Sequence, residues 1–251
     1  EHLKDPRVRI LDCTTHMVAQ PVGPSKIISG QADHEKSHIP GALHIDMVAD
    51  LSDPQGQFPY TAIDVATFAD LMTRLQILPS DHVVLYGQSS ISSITRAWFI
   101  FYLHGHQHLS ILDGGLTQWR AAGYRTTNQP RQKIARQRTT TAYQRRDVIV
   151  GREDVLNALH TEEVQLINAL SAEQFAGSGG AHYGRPGRIP NSLNLPAKDL
   201  IDRRTGLFWD LDTLRHKVTT AGISLQAPSI HYCGGGIAAT TSAFVVHRLG
   251  A

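Results

Sequence analysis

Ser229-Ile230-His231-Tyr232-Cys233-Gly234-Gly235-Gly236-Ile237-Ala238-Ala239-Thr240-Thr241-Ser242-Ala243-Phe244-Val245-Val246 is the stretch from which the fold and its chemistry are read. Residues 229–232 have the composition of a short strand. Cys233 stands at its end, the glycines follow, and 237–246 reads as a buried helix. This is a strand–loop–helix unit with a cysteine at its mouth. Glycine tolerates backbone angles closed to other residues, which lets successive N–H groups converge into an anion-binding nest. The start of the helix adds its partial positive charge. Both effects favour the thiolate over the thiol, and a cysteine nucleophile needs the thiolate. The plainer alternative, a buried inert cysteine beside a flexible turn, does not call for three glycines at a helix start.

Working outward, the same unit occurs twice. Val83-Val84-Leu85-Tyr86-Gly87 matches Ser229-Ile230-His231-Tyr232-Cys233. Val8-Arg9-Ile10-Leu11-Asp12 matches Val164-Gln165-Leu166-Ile167-Asn168. Ser37-His38-Ile39-Pro40-Gly41-Ala42-Leu43-His44-Ile45 matches Gly187-Arg188-Ile189-Pro190-Asn191-Ser192-Leu193-Asn194-Leu195. A helical stretch from Phe68 to Leu78 corresponds to Leu211 to Ile223. Anchors in one order at similar separations mark two copies of one α/β unit. Short strands alternating with amphipathic helices predict, in each copy, a parallel sheet flanked by helices. We expect one domain over 1–124, a basic linker over 125–143 and a second domain over 144–251. The first copy continues with Leu109-Ser110-Ile111-Leu112-Asp113-Gly114-Gly115 and a further helix. The second stops at Leu249-Gly250-Ala251, so its domain is expected to be truncated at the C-terminus.

Composition narrows the function classes. The chain has 251 residues, 41% hydrophobic, with 24 Lys and Arg against 22 Asp and Glu, a net charge of +2. That balance implies no polyanionic partner, and no apolar run is long enough to span a bilayer. The region from Arg125 to Arg146 also holds Arg131, Lys133, Arg136, Arg138 and Arg145 and no acidic residue. No aromatic stacking platform accompanies these charges, so it reads as a solvated linker rather than a nucleic-acid surface. Two cysteines, Cys13 and Cys233, make neither a disulfide framework nor a four-ligand zinc site. They fit a cytoplasmic setting, with the periplasm left open because the chain starts at Glu1. Cys13, at the end of the first strand, reads as a small core residue. His104, His106 and His108 surround Gly105 and read as a helix terminus and turn rather than a metal site.

The repeat, the His38-Ile39-Pro40-Gly41-Ala42 segment and the cysteine loop resemble the tandem-domain rhodaneses, the family of thiosulfate and 3-mercaptopyruvate sulfurtransferases. Leu112-Asp113-Gly114-Gly115-Leu116-Thr117-Gln118-Trp119 and Asp50-Leu51-Ser52-Asp53-Pro54 add to the resemblance, which covers nearly the whole chain. It implies a catalytic cysteine in the second domain, a silent first domain where Gly87 holds the cysteine's place, and no cofactor. The active-site loop is then Gly234, Gly235, Gly236, Ile237, Ala238 and Ala239. Thiosulfate-specific relatives have basic residues directly after the cysteine, and here those positions are glycine. The mercaptopyruvate class has a serine where this chain has Gly235, an acidic residue and a histidine where it has Val48 and Tyr60, and an arginine where it has Gln174. Arg185 and Arg188 remain as the candidates for holding an anionic donor.

The reading is a sulfurtransferase. Cys233 takes a sulfane sulfur from a small anionic donor, 3-mercaptopyruvate in preference to thiosulfate, and a persulfide hands it to a thiol, cyanide or a thioredoxin-like protein. A phosphatase of the cysteine-loop type needs an arginine near the loop's end to clamp phosphate, where this chain has Ala239 and Thr240. A non-catalytic sulfur-relay or binding module of the same fold is the alternative.

Overall fold

A computed structural model describes residues 2–20, 25–131, 148–161, 163–181 and 184–251. Two compact units emerge, Glu1–Met17 with Ile27–Arg146 and Val18–Lys26 with Asp147–Ala251. Most of the expected linker, with Lys133, Arg136 and Arg138, lies outside the described residues, as do Arg145 and Arg146 beyond it. Its first part does not hang free: Thr127 and His38 exchange backbone bonds of 2.8 and 2.9 Å.

The first unit is built on β1 (Val8–Asp12), β4 (Leu43–His44), β5 (His82–Tyr86) and β6 (Leu109–Ile111). They form one sheet in the order β4-β1-β5-β6, parallel throughout. Helices α1 (Gln31–Lys36), α2 (Val65–Leu75) and α3 (Ile91–Leu103) lie between strands, and α4 (Gly115–Ala121) follows β6. Because parallel strands need crossovers and are covered on both faces, β1 and β5 run through apolar core, with Leu11, Val83 and Leu85 fully buried. A separate ribbon of β2 (Thr15–Val18) and β3 (Lys26–Ser29) is an addition that the repeat did not predict.

The second unit holds α5 (Arg152–Ala158), β7 (Gln165–Asn168), α6 (Ala172–Ala176), β8 (Leu193–Asn194), α7 (Leu211–Thr220), β9 (Ser229–Tyr232) and α8 (Ala238–Arg248). Its sheet, β8-β7-β9, is again parallel. Among the described residues no helix is long and apolar enough to cross a membrane.

Local chemistry explains why the repeated segments fold alike. Ile39-Pro40-Gly41-Ala42 closes with an Ala42 N–H to Ile39 O bond of 2.9 Å, and Gly41 has φ 83°. Proline second and a left-handed residue third are what a type II turn requires. In the second copy Asn191, at φ 59°, takes the glycine's role, as asparagine can. The long-range bonds recur too. Cys13 N–H donates to Tyr86 O at 2.7 Å and Ala169 N–H to Tyr232 O at 2.9 Å. Ile39 N–H reaches Tyr86 Oη at 3.2 Å, and Ile189 N–H reaches Tyr232 Oη at 3.0 Å.

Helix α2 begins three residues earlier than the apolar pattern places it. Asp64 caps it, accepting from Thr67 N–H at 2.8 Å, and a capping carboxylate starts a helix whether or not the next residues are apolar. Left-handed Gln76 ends it. Phe68, Leu71, Met72 and Leu75 make its buried stripe, at the spacing of one helical face.

Candidate functional site

Cys233 leaves the carboxyl end of β9, and α8 starts five residues later. In parallel α/β sheets the crevice beyond the strands' carboxyl ends is where ligands are held. The Cys233 side chain is partly exposed and packs with Ala238 against Ala169, Ala197 and Ala239. These residues come from separate elements. Ala169 follows β7, Ala197 opens a 3-10 turn over Ala197–Leu200 and bonds to Ala169 O at 3.0 Å, and Ala239 lies in the first turn of α8. The sulfur therefore packs against a wall of methyl groups. Asn194 fastens that wall, its Nδ2 donating to Asn168 O at 3.1 Å and to Leu170 O at 3.0 Å.

The loop differs from its sequence reading in one respect. Of the three glycines, Gly236 alone has a positive φ, 73°, so the special freedom of glycine is used once rather than three times. Ala238 and Ala239 lie in the helix that the sequence placed at 237–246, whose cap is Ile237 at φ −96°, ψ −59°. No side chain caps α8, so the N–H groups of its first turn are not taken up by a capping side chain of the kind that usually satisfies them.

Next to the cysteine, His231 joins strand to helix. Its Nδ1 lies 2.8 Å from Ser242 Oγ on α8 and its Nε2 3.1 Å from Ser229 Oγ. Burial lowers its pKa to about 4, so the ring is neutral at neutral pH.

Arg185 and Arg188 are both exposed. The guanidinium of Arg188 lies 4.5 Å from the centre of the Phe175 ring and donates a long bond of 3.5 Å to Phe175 O. The bond from Ile189 N–H to Tyr232 Oη ties this segment to the residue preceding Cys233. Gln174, at the position expected for an arginine, caps α6 and donates to Ala181 O at 2.7 Å.

The corresponding place in the first unit is filled by its own side chains. A Cβ added to Gly87 would stand 3.2 Å from Ile94 Cγ1. The second unit has the smaller Thr240 there, its hydroxyl donating to Ile237 O at 2.7 Å. Gln88 Nε2 donates to Asp12 Oδ2 and Ser37 O, and Ser89 Oγ donates to Thr15 O at 2.6 Å. Asp12, fully buried, also accepts from Thr14 N–H, Thr14 Oγ1 and Tyr86 Oη and meets His34 Nδ1 at 3.1 Å. Burial pushes the Asp12 carboxyl up, but bonds from His34, Thr14 and Tyr86 outweigh it and hold it below the usual carboxylate range. Cys13 is buried, and burial pushes its thiol well up, leaving it a poor nucleophile. His104 and His106 spend their Nε2 atoms on Ile63 O and Asp81 O, each at 3.0 Å.

Sequence reading did not find Ala169, Ala197, Asn194 or His231 as site residues. Asn194 stands in the repeated segment, so its place was visible there but not its task. Alanines carry no chemical signal at all, and only three-dimensional proximity gathers them around Cys233.

Residues 1–122 match the family model described as a rhodanese-like domain. The chain is 29% identical over 243 residues to a 3-mercaptopyruvate sulfurtransferase of Escherichia coli K12, covering 95% of this chain and 82% of that one. To the mitochondrial thiosulfate/3-mercaptopyruvate sulfurtransferase 1 of Arabidopsis thaliana it is 28% identical over 270 residues, 99% of this chain and 69% of the other. Among solved structures, an Escherichia coli protein described under the rhodanese fold and mechanism of 3-mercaptopyruvate sulfotransferases is 28% identical. It superposes with a TM-score of 0.79 over 99% of this chain and 90% of its own. A Leishmania major 3-mercaptopyruvate sulfurtransferase, 20% identical with a TM-score of 0.78 over 97% of this chain and 66% of its own, shares the fold.

Proposed function

Starting from a first domain that matches the rhodanese-like model and from relatives named as sulfurtransferases, we propose that the chain is a rhodanese-like sulfurtransferase and that Cys233 is the residue that carries the transferred sulfur. The observation that carries this reading is the position of Cys233. It is the partly exposed cysteine, at the carboxyl end of a parallel strand and ahead of a helix start that no side chain caps.

The Cys233 thiolate attacks the sulfur of a small anionic donor. With 3-mercaptopyruvate, the new S–S bond forms as the C–S bond breaks. The electron pair leaves with the carbon fragment as the pyruvate enolate, which takes up a proton to give pyruvate. The persulfide then transfers its outer sulfur to an incoming thiol or cyanide, and the S–S bond pair returns to Cys233 as thiolate. This is double-displacement chemistry through a covalent intermediate. The role of the loop from Gly234 to Ala239 is to stabilise anionic sulfur with backbone N–H groups. Left-handed Gly236 followed by right-handed Ile237 is a pairing that aims successive N–H groups at one point. The alanine wall supplies a dry place for the second sulfur.

Mercaptopyruvate is the preferred donor. Thiosulfate is a compact dianion that calls for cations next to the thiolate, and Gly234 and Gly235 supply none. The carboxylate of mercaptopyruvate stands away from its sulfur, where Arg185 or Arg188 grips it. The first domain is silent, since Gly87 offers no thiol and Ile94 occupies the adjoining space. A thioredoxin-like thiol in the cytoplasm is the acceptor this chemistry suits.

The test is Cys233→Ser. Sulfur transfer should be abolished with folding intact, and intact-protein mass spectrometry after donor treatment should show one added sulfur on the wild type only. Substantial turnover by the serine variant refutes the assignment. Cys13→Ser should stay active, since that thiol is buried.

A further inference from the structure

The first unit contains a cavity that sulfur transfer does not use. Its volume is about 640 Å³, and its lining comes from residues 3–10, the Pro40-Gly41 turn and residues 125–131. Small organic ligands occupy cavities of roughly 300–1,000 Å³. Val8, Ile10 and Pro40 give it an apolar floor beside the core cluster of Ile10, Ile39, Ala42, Tyr86 and Leu116. Leu3, 45% exposed, adds an apolar wall on the solvent side.

The walls are fixed in place. Trp119 Nε1 donates to Arg125 O at 2.9 Å, and the Tyr124 ring packs on Trp119 with centroids 4.6 Å apart. Thr127 is bonded to His38 through both backbone groups, and His38 Nε2 meets Gln129 O at 3.1 Å. A site whose frame is already ordered loses little further freedom when it binds.

The charge is one-sided. Among the described residues that line the cavity, Lys4, Arg125 and Arg131 are cationic and Asp5 is the carboxylate. That carboxylate is already engaged by the N–H, Nε and Nη2 of Arg7. Among the described residues no carboxylate pairs with Lys4 or Arg125.

From this arrangement we propose that the cavity is a binding site for a small organic anion with an apolar body, of the class of medium-chain carboxylates and aryl sulfonates. The apolar part lies on Val8, Ile10 and Pro40 and the acid group meets Lys4 and Arg125. Neutral apolar molecules gain nothing from those exposed cations, and small inorganic anions leave the apolar floor uncovered.

The experiment is fluorescence titration of the full chain with 8-anilinonaphthalene-1-sulfonate, followed by displacement. One saturable site is expected, unchanged in Cys233→Ser. The double variant Lys4→Ala/Arg125→Ala, both positions being exposed, should weaken it about tenfold or more with an unaltered circular dichroism spectrum and unaltered sulfur transfer. Octanoate should displace the probe and octanol should not. Non-saturable binding, an unaffected double variant, or displacement by octanol as effective as by octanoate overturns the proposal. Displacement by hexaglutamate but not by octanoate overturns it in favour of an acidic-peptide surface.

Discussion

Replacing Gly236 with alanine should separate the cysteine loop's backbone geometry from its composition. Gly236 holds φ 73° directly before the helix whose start faces Cys233. A left-handed conformation costs a residue with a Cβ roughly 1–2 kcal/mol, a factor of about 5–30 in the folded-to-unfolded ratio. The chain meets that cost in one of two ways. If the substituted residue stays left-handed, the second unit loses about that much stability. If it moves to negative φ, Ile237 and the start of α8 turn away from Cys233 and transfer slows. Gly235→Ala carries no such penalty, since Gly235 is not left-handed, and Gly236→Asn should be intermediate because asparagine tolerates this region. Urea unfolding followed by circular dichroism, run beside sulfur transfer to cyanide, reads both outcomes. The argument fails if Gly236→Ala keeps wild-type stability and rate, or if Gly235→Ala costs as much.

Donor choice is read by comparing kcat/KM for 3-mercaptopyruvate and thiosulfate in the wild type, Arg185→Ala and Arg188→Ala. Mercaptopyruvate should be favoured, and losing a charge-assisted contact should cost on the order of 1.5–3 kcal/mol. A thiosulfate preference refutes the donor, and unchanged kinetics in both variants refutes the arginines. Asp12 has its pKa depressed in the fold, so its contribution to stability is present above the unfolded value near 3.9 and is lost as pH falls through the folded value. Asp12→Ala should destabilise the first unit at neutral pH, because it leaves the buried donors of Thr14 and Tyr86 without their acceptor, at about 1–3 kcal/mol for each donor left unsatisfied, and should flatten that acid limb in urea titrations. His231, at about 4, binds a proton in the unfolded chain before it does in the fold. Its contribution is therefore present above about 6.5 and lost between there and about 4, and thermal melts of His231→Gln should lack that window.

Much of the fold was legible because it is written twice. Strand composition, the Ile-Pro-Gly turn and the cysteine between strand and helix are local features, set by φ preferences and side-chain shape within a few residues. The start of α2 was less legible, whereas α7 starts at Leu211 where the sequence placed it. Asp64 fixes the α2 start by accepting from Thr67 N–H, a signal that an apolar pattern does not carry.

By itself the sequence determined the two α/β copies, the place of Cys233 at the end of a strand, and the lack of a thiol at Gly87. Those follow from residue identity and spacing. Only the tertiary structure decided which glycine is left-handed, because φ depends on how the strand end and the helix start must be joined. It alone gathered Ala169, Ala197 and Ala239 around the sulfur, since a methyl group has no chemistry to announce it and acquires a role only through its neighbours. It also showed the first unit's loop spent on its own hydrogen bonds, Gln88 on Asp12 and Ser89 on Thr15. Those bonds span more than seventy residues, and the meeting of such distant groups is a property of the packed core rather than of any stretch of chain.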